Sequence, residues 1–157
     1  MRSWCAPART PRERLDTDPE VASAVVEEVS AANPSRSIAL EVEGDVRGSF
    51  DADRAAQLLS NLVANAVTYA PPDGRIVVRV AGTATGVELS VENGGAPIPE
   101  AERAGLFDPF RRGTGSGESR GLGLGLFIVQ QIARAHGGDV DLVARDGRIV
   151  FRAVLQR

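Results

Sequence analysis

Three small groups of residues carry types and spacings that can do chemistry. Asn61 and Asn65 lie four positions apart in a stretch of helical periodicity, so their amides share one face. Amide oxygens suit a hard cation such as Mg²⁺ beside phosphates; two asparagines on a solvated helix face are the plain alternative. Asn93 follows Val87, Leu89 and Val91 in strict alternation, which puts its side chain on the buried face of a strand. A buried amide needs a partner. The turn Gly94-Gly95-Ala96-Pro97-Ile98-Pro99 follows it, so Asn93 either accepts from the amino group of a purine or ends the strand in an Asx-turn. The third group is Gly121-Leu122-Gly123-Leu124-Gly125-Leu126, running into Phe127-Ile128-Val129. Glycines admit a close backbone approach, and the N–H groups at a helix start suit phosphate.

The rest of the composition removes competing chemistries. All 18 basic residues are arginine, so a phosphate loop ending in Gly-Lys-Ser/Thr, a strand lysine of the eukaryotic protein-kinase type and a Schiff base are excluded. A dinucleotide fingerprint needs a strand just before its glycines. Here residues 111–121 are Gly, Arg and Ser with almost nothing apolar, which reads as a mobile loop. Cys5 is the single cysteine, so no disulfide forms within the chain. A net charge of −3 argues against a nucleic-acid surface. No stretch reaches membrane-spanning length, and the expected compartment is the cytoplasm.

The elements that must position these groups follow from periodicity. Residues 1–18, with Arg2, Arg9, Arg12 and Arg14, read as a tail, and 19–157 as one domain. A helix is expected over 19–32. Ile38, Leu40 and Val42 alternate, and Gly44-Asp45 is expected to turn them into a hairpin with 46–50. Asp51 is a good N-cap for a helix to Tyr69, with Ala55, Leu59, Leu62, Val63 and Ala66 on its core side and Arg54, Gln57, Asn61, Asn65 and Thr68 opposite. Strands are expected at 75–82 and 86–93, a short helix from Pro99 to Leu106, and a helix from about Leu122 to the stop His136-Gly137-Gly138. Two strands, 139–144 and 148–155, close around Asp146-Gly147. Hairpins separated by helices predict an α+β sandwich, a mixed sheet with helices on one face.

Taken together and in this order, the motifs resemble the ATP-binding catalytic domain of bacterial sensor histidine kinases, within the GHKL (Bergerat-type) ATPases. Asn61 to Ala66 is similar to the family's N box, Asn93 to Ile98 to its first glycine box, Leu106-Phe107-Asp108-Pro109-Phe110-Arg111-Arg112 to its F box, and Gly121 to Leu126 to its second glycine box. The resemblance covers about 20–156. It implies an ATP-Mg²⁺ site under a mobile lid at about 107–122. Asn65 matches the metal-binding asparagine, with Asn61 as its neighbour, and Tyr69 lines the adenine pocket. Gly95 and Ile98 belong to the base-binding turn, Arg112 faces the phosphates, and Gly121, Leu122, Gly123, Leu124 and Gly125 hold them. It further implies two partners, a histidine-bearing dimerisation domain and, through it, a response regulator.

Three positions depart from the family pattern: Asn93 replaces an aspartate, Pro97 a common glycine and Thr68 a frequent lysine. Hydrolytic relatives carry a glutamate where Asn61 stands; an amide cannot take a proton from water, which favours transfer to a better nucleophile. A serine kinase of the anti-sigma-factor type, or a nucleotide-binding module without transfer activity, remains as an alternative. His136 sits at a helix end, where an imidazole commonly complements the helix dipole, and is not read as a phosphoacceptor.

Overall fold

The computed structural model describes residues 15–16, 19–109 and 124–157. In chain order the elements are β1 (Leu15–Asp16), α1 (Pro19–Ala32), β2 (Ser37–Glu43), β3 (Ser49–Phe50), α2 (Ala52–Tyr69), β4 (Arg75–Gly82), β5 (Gly86–Gly94), α3 (Glu100–Arg103), α4 (Gly125–Ala135), β6 (Val140–Arg145) and β7 (Arg148–Gln156). Five strands form one sheet in the order β2-β4-β5-β7-β6; β2 runs parallel to β4 and every other pairing is antiparallel. Helices α1, α2 and α4 pack on one face, as the expected α+β sandwich requires.

The expected hairpin over 38–50 is not formed. β2 pairs with β4, with Ile38 beside Ile76 and Leu40 beside Val78, while β3 pairs with β1. Gly44 does turn the chain, at φ +72°, but the turn carries it across the end of the sheet. A side chain at Gly82 would lie 2.1 Å from the Asp45 carbonyl oxygen, so backbone passes directly over backbone there. Arg157 fastens the same crossing by donating to the carbonyls of Arg47 and Asp45. Alternation over 38–42 reveals which face is buried, and it carries no information about the partner strand. Residues 15–16, inside the stretch read as a tail, form the partner of β3.

The central helix is specified locally at both ends. At the start of α2 the Asp51 carboxylate accepts from the N–H groups of Asp53 (3.1 Å) and Arg54 (3.2 Å), satisfying two of the donors a helix start leaves free. Its inner face, Ala55, Leu58, Leu59, Leu62, Val63 and Ala66, is buried against β4 and β5. Each leucine so buried contributes about 2 kcal/mol through removal of apolar surface from water. At the far end the helix stops before Pro71, and its last carbonyls are taken up by Arg36. That guanidinium donates to Val67 O (2.6 Å), Ala70 O (3.2 Å) and Pro71 O (2.5 Å).

Helix α4 begins at Gly125, with Leu124 at its N-cap, and ends in a left-handed residue, Gly137 (φ +75°). The Gly138 N–H returns to Ala133 O at 2.9 Å, and a Cβ at Gly138 would lie 1.7 Å from Val154 O, so the helix end is pressed onto β7. Asp146 (φ 51°) and Gly147 (φ 74°) make the two-residue turn expected between β6 and β7.

The face of the sheet without helices is charged. Arg79 pairs with Glu41 (2.6 Å) and Glu92 (3.3 Å), Glu92 with Arg148 (2.9 Å), and Arg152 with Asp141 (2.6 Å). Such exposed pairs contribute little stability each. Arg36 is different, because its carbonyl partners are orphaned without it. Arg36→Ala should cost about 2 kcal/mol, read as a Tm lower by roughly 4–8 °C in calorimetry for a domain of this size; an unchanged Tm would show that water caps α2 equally well.

Candidate nucleotide-binding site

Asn61 and Asn65 point away from the inner face of α2, as the helical wheel predicts, yet they are half-buried while Arg54, Gln57 and Thr68 are exposed. The cover comes from α4, which packs beside α2. Gly125, the first residue of α4, lies so close that a Cβ there would be 4.0 Å from Asn61 Oδ1. Asn61 Nδ2 is buried, and among the described residues it has no hydrogen-bond partner. A buried donor left unpaired costs about 1–3 kcal/mol, which makes this amide a candidate for binding an outside group.

The first N–H groups of α4 have no intrahelical acceptor, and they sit at the same place as that unpaired amide. The Asn61 amide, the N–H groups at the start of α4 and a glycine without a side chain therefore meet at one place, with Asn65 one helical turn further along α2. That set fits phosphate, for which it offers donors, and an oxygen-seeking cation, for which it offers carbonyl oxygens.

A second cluster lies along α2 at its C-terminal end. Asn93 is 2% exposed, on the buried face as its alternation predicts. Its Nδ2 donates to Gly94 O at 2.8 Å, which leaves the amide oxygen as the acceptor for a further group. Gly95 has φ +155°, and a Cβ on it would meet Tyr69 O at 3.4 Å and Asn93 Nδ2 at 3.8 Å. The turn after β5 thus passes against the end of α2. The Gly95 N–H reaches Gly147 O of the β6–β7 turn at 3.4 Å, and the Arg103 guanidinium holds Ile98 O at 3.1 Å. Ile98 packs half-buried on the core, and Tyr69 is 44% exposed. Asn61 and Tyr69 are eight residues apart, about 12 Å along the helix. One helix therefore spans both clusters.

Of the residues named from sequence, the structure brings Asn61 to Gly125 and Leu124, and Asn93 and Gly95 to Tyr69. Arg112, Gly121, Leu122 and Gly123, with most of the expected lid, lie outside the described residues. The F box begins at a contact: Phe107 stands edge-on to Phe151 of β7, with ring centroids 6.2 Å apart. Arg36 was not singled out from sequence, because no local pattern marks a side chain that caps a helix 31 to 35 residues away. The bonding role of His136 was missed for the same reason. Its Nδ1 is 2.8 Å from Ile132 O and its Nε2 accepts from the Asp51 N–H at 3.3 Å, so both ring nitrogens are engaged.

Among the described residues no helix is long and apolar enough to cross a membrane. Residues 50–156 match the family of histidine kinase-, DNA gyrase B- and HSP90-like ATPases. The chain is 36% identical over 140 residues to a bacteriophytochrome of Pseudomonas aeruginosa (87% of this chain, 19% of that protein). It is 38% identical over 119 residues to the sensor protein CzcS of Cupriavidus metallidurans (74% of this chain, 25% of that one). It thus spans about a quarter or less of the length of these curated relatives. Among solved structures it is similar to the catalytic domain of the histidine kinase ThkA, with a TM-score of 0.75 at 30% identity, covering 90% of this chain and 95% of that one. The mycobacterial sensor histidine kinase MprB superposes with a TM-score of 0.76 at 27% identity, covering 88% and 94%. A buried amide facing a helix start, an amide beneath a glycine turn and these likenesses agree: the chain belongs to the histidine kinase-, DNA gyrase B- and HSP90-like ATPase family, as the catalytic domain of a histidine kinase.

Proposed function

We propose that this domain binds ATP with Mg²⁺ in the cleft between α2, α4 and the turn after β5, and passes the γ-phosphoryl group to a histidine of a dimerisation domain, from which a response regulator takes it. The observation that carries this reading is the buried Asn61 Nδ2, beside Gly125, which has no partner among the described residues. In it the Asn65 and Asn61 side-chain oxygens hold the cation, which when bound neutralises charge developing on the phosphate oxygens. The N–H groups at Leu124 and Gly125 take phosphate oxygens. The Asn93 oxygen accepts from the adenine amino group, with Gly95 and Ile98 forming the floor of the base pocket and Tyr69 its rim. Arg112, Gly121, Leu122 and Gly123 complete the phosphate contacts.

In the transfer the bond from the γ-phosphorus to the bridging oxygen of ADP breaks as a P–N bond forms to a neutral imidazole, whose remaining ring proton then leaves to solvent. The domain's part is to hold donor and charge in place, since phosphoryl transfer needs positioning and electrostatic stabilisation above all. Water is a poor rival, because Asn61 supplies no base to activate it.

Asn65→Ala should abolish Mg²⁺-dependent ATP binding in titration calorimetry while leaving the circular dichroism spectrum unchanged; retained Mg²⁺-dependent affinity would remove the metal assignment. Asn93→Ala should weaken ATP by about 1 kcal/mol or more, and GTP, which presents a carbonyl where adenine has an amino group, should compete poorly for the unaltered protein. Equal competition by the two nucleotides would mean the base pocket is misassigned. Incubated with γ-labelled ATP the chain should not label itself, because its single histidine has both ring nitrogens engaged. A separate histidine-bearing dimerisation domain should then acquire acid-labile, alkali-stable label at a rate rising with concentration. A phosphoserine product, or self-labelling lost in His136→Ala, would overturn the reading.

A further inference from the structure

His136 joins the two helices of the site at the end the nucleotide does not reach. Its backbone is fixed: Gly137 and Gly138 close α4 against β7, and His136 O accepts from the Gln156 N–H at 2.9 Å. Its ring faces the buried Phe50, with centroids 6.2 Å apart. From there Nε2 takes the N–H of Asp51, the residue whose carboxylate caps α2. A backbone N–H can only donate, so Nε2 is unprotonated; the proton is on Nδ1, donated to Ile132 O.

The two contacts between these helices, one at each end, are matched in length. From Asp51 to Asn61 is ten residues of α2, about 15 Å, and from His136 back to Gly125 is eleven residues of α4, about 16 Å. The helices are thus antiparallel, tied at one end by the imidazole and opposed at the other where Asn61 Oδ1 meets Gly125. On the outer side of the pair, Arg54 and Gln57 of α2 and Phe127, Ile128 and Gln131 of α4 line an open groove of about 510 Å³, while Val129, Ile132 and Ala133 are buried on the inner side, so the imidazole contact adds a directional tie to an apolar seam.

We propose that His136 is a positioning residue: in its Nδ1–H form it sets the axial stagger of α2 against α4, and so the placement of Asn61 and Asn65 relative to the phosphate-binding start of α4. This rests on the assignment of Asn61, Asn65 and Gly125 to the nucleotide site. Slipping the pair by one residue displaces the amides by about 1.5 Å, and errors of about 1 Å at a reacting centre can cost up to a hundredfold.

Because the chain has one histidine, ¹⁵N spectroscopy of the imidazole reads a single ring. The unaltered protein should show a protonated Nδ1 and an unprotonated Nε2; the opposite tautomer overturns the proposal. In calorimetry His136→Ala should weaken Mg²⁺-ATP by about tenfold, with His136→Gln, which retains an acceptor, falling between. Val87→Ala truncates a core residue at the opposite end of β5 from Asn93 and serves as the control. It should lower the Tm at least as far, yet keep nucleotide affinity within about twofold of the unaltered protein. Equal weakening in His136→Ala and Val87→Ala, or none in His136→Ala, overturns the positioning role. If His136→Ala does not fold, His136→Gln and the tautomer decide. Failure of the site assignment is recognised separately, by nucleotide binding that ignores Asn65→Ala while the tautomer and the stability losses stand.

Discussion

Parallel pairing of β2 with β4 is the constraint on which the rest of this domain depends. Two parallel neighbours cannot be joined by a turn; the chain must leave the sheet, cross a face and return in the same direction. The crossing element here is α2, which therefore lies on the sheet with one face committed to the core and the other open. A helix trapped in this way is a stiff rail. The residues that α2 contributes to the proposed site, Asn61, Asn65 and Tyr69, are presented along that rail at spacings fixed by helix geometry. The remaining parts are brought to it by the strands on either side.

The same economy governs the contacts that complete the cleft. Gly125, Gly95, Gly138 and Gly82 each stand where backbone or a polar side chain comes close. At Gly82 and Gly138 the approach is structural, backbone on backbone. At Gly95 and Gly125 it leaves room beside an amide. At these four positions a glycine marks where two elements come together, and only its neighbours reveal whether the space serves packing or a ligand.

Much of the architecture was legible in the sequence because it is written in local periodicity. The 3.6-residue stripe of α2, its Asp51 cap, the alternation ending in Asn93 and the Asp146-Gly147 turn are all short-range signals, and each appears in the structure at its expected place. The burial of Asn93 was likewise legible, since an amide is costly where the alternation of its strand puts it. What escaped was non-local. The alternation at 38–42 could not say that its partner lies beyond an 18-residue helix, so a hairpin was expected instead. Arg36 and His136 each reach across tens of residues to a helix end, with no spacing to betray them. The half-burial of Asn61 followed from α4 packing over the polar stripe, which a helical wheel drawn for α2 alone cannot contain.

The uncovered face of the sheet has a consequence of its own. Its charges are not scattered: Glu41, Arg79, Glu92 and Arg148 alternate in sign across neighbouring strands, and Asp141 faces Arg152 in register. Each of these charges is answered by one only a few ångströms away, so their fields largely cancel at short range. The hollow lined by Glu92, Val143, Arg145, Arg148 and Val150 interrupts this pattern, with Val143 exposed beside the paired charges. The back of the sheet is thus a mosaic, neutralised charge by charge along its middle strands and partly apolar towards the β6–β7 turn.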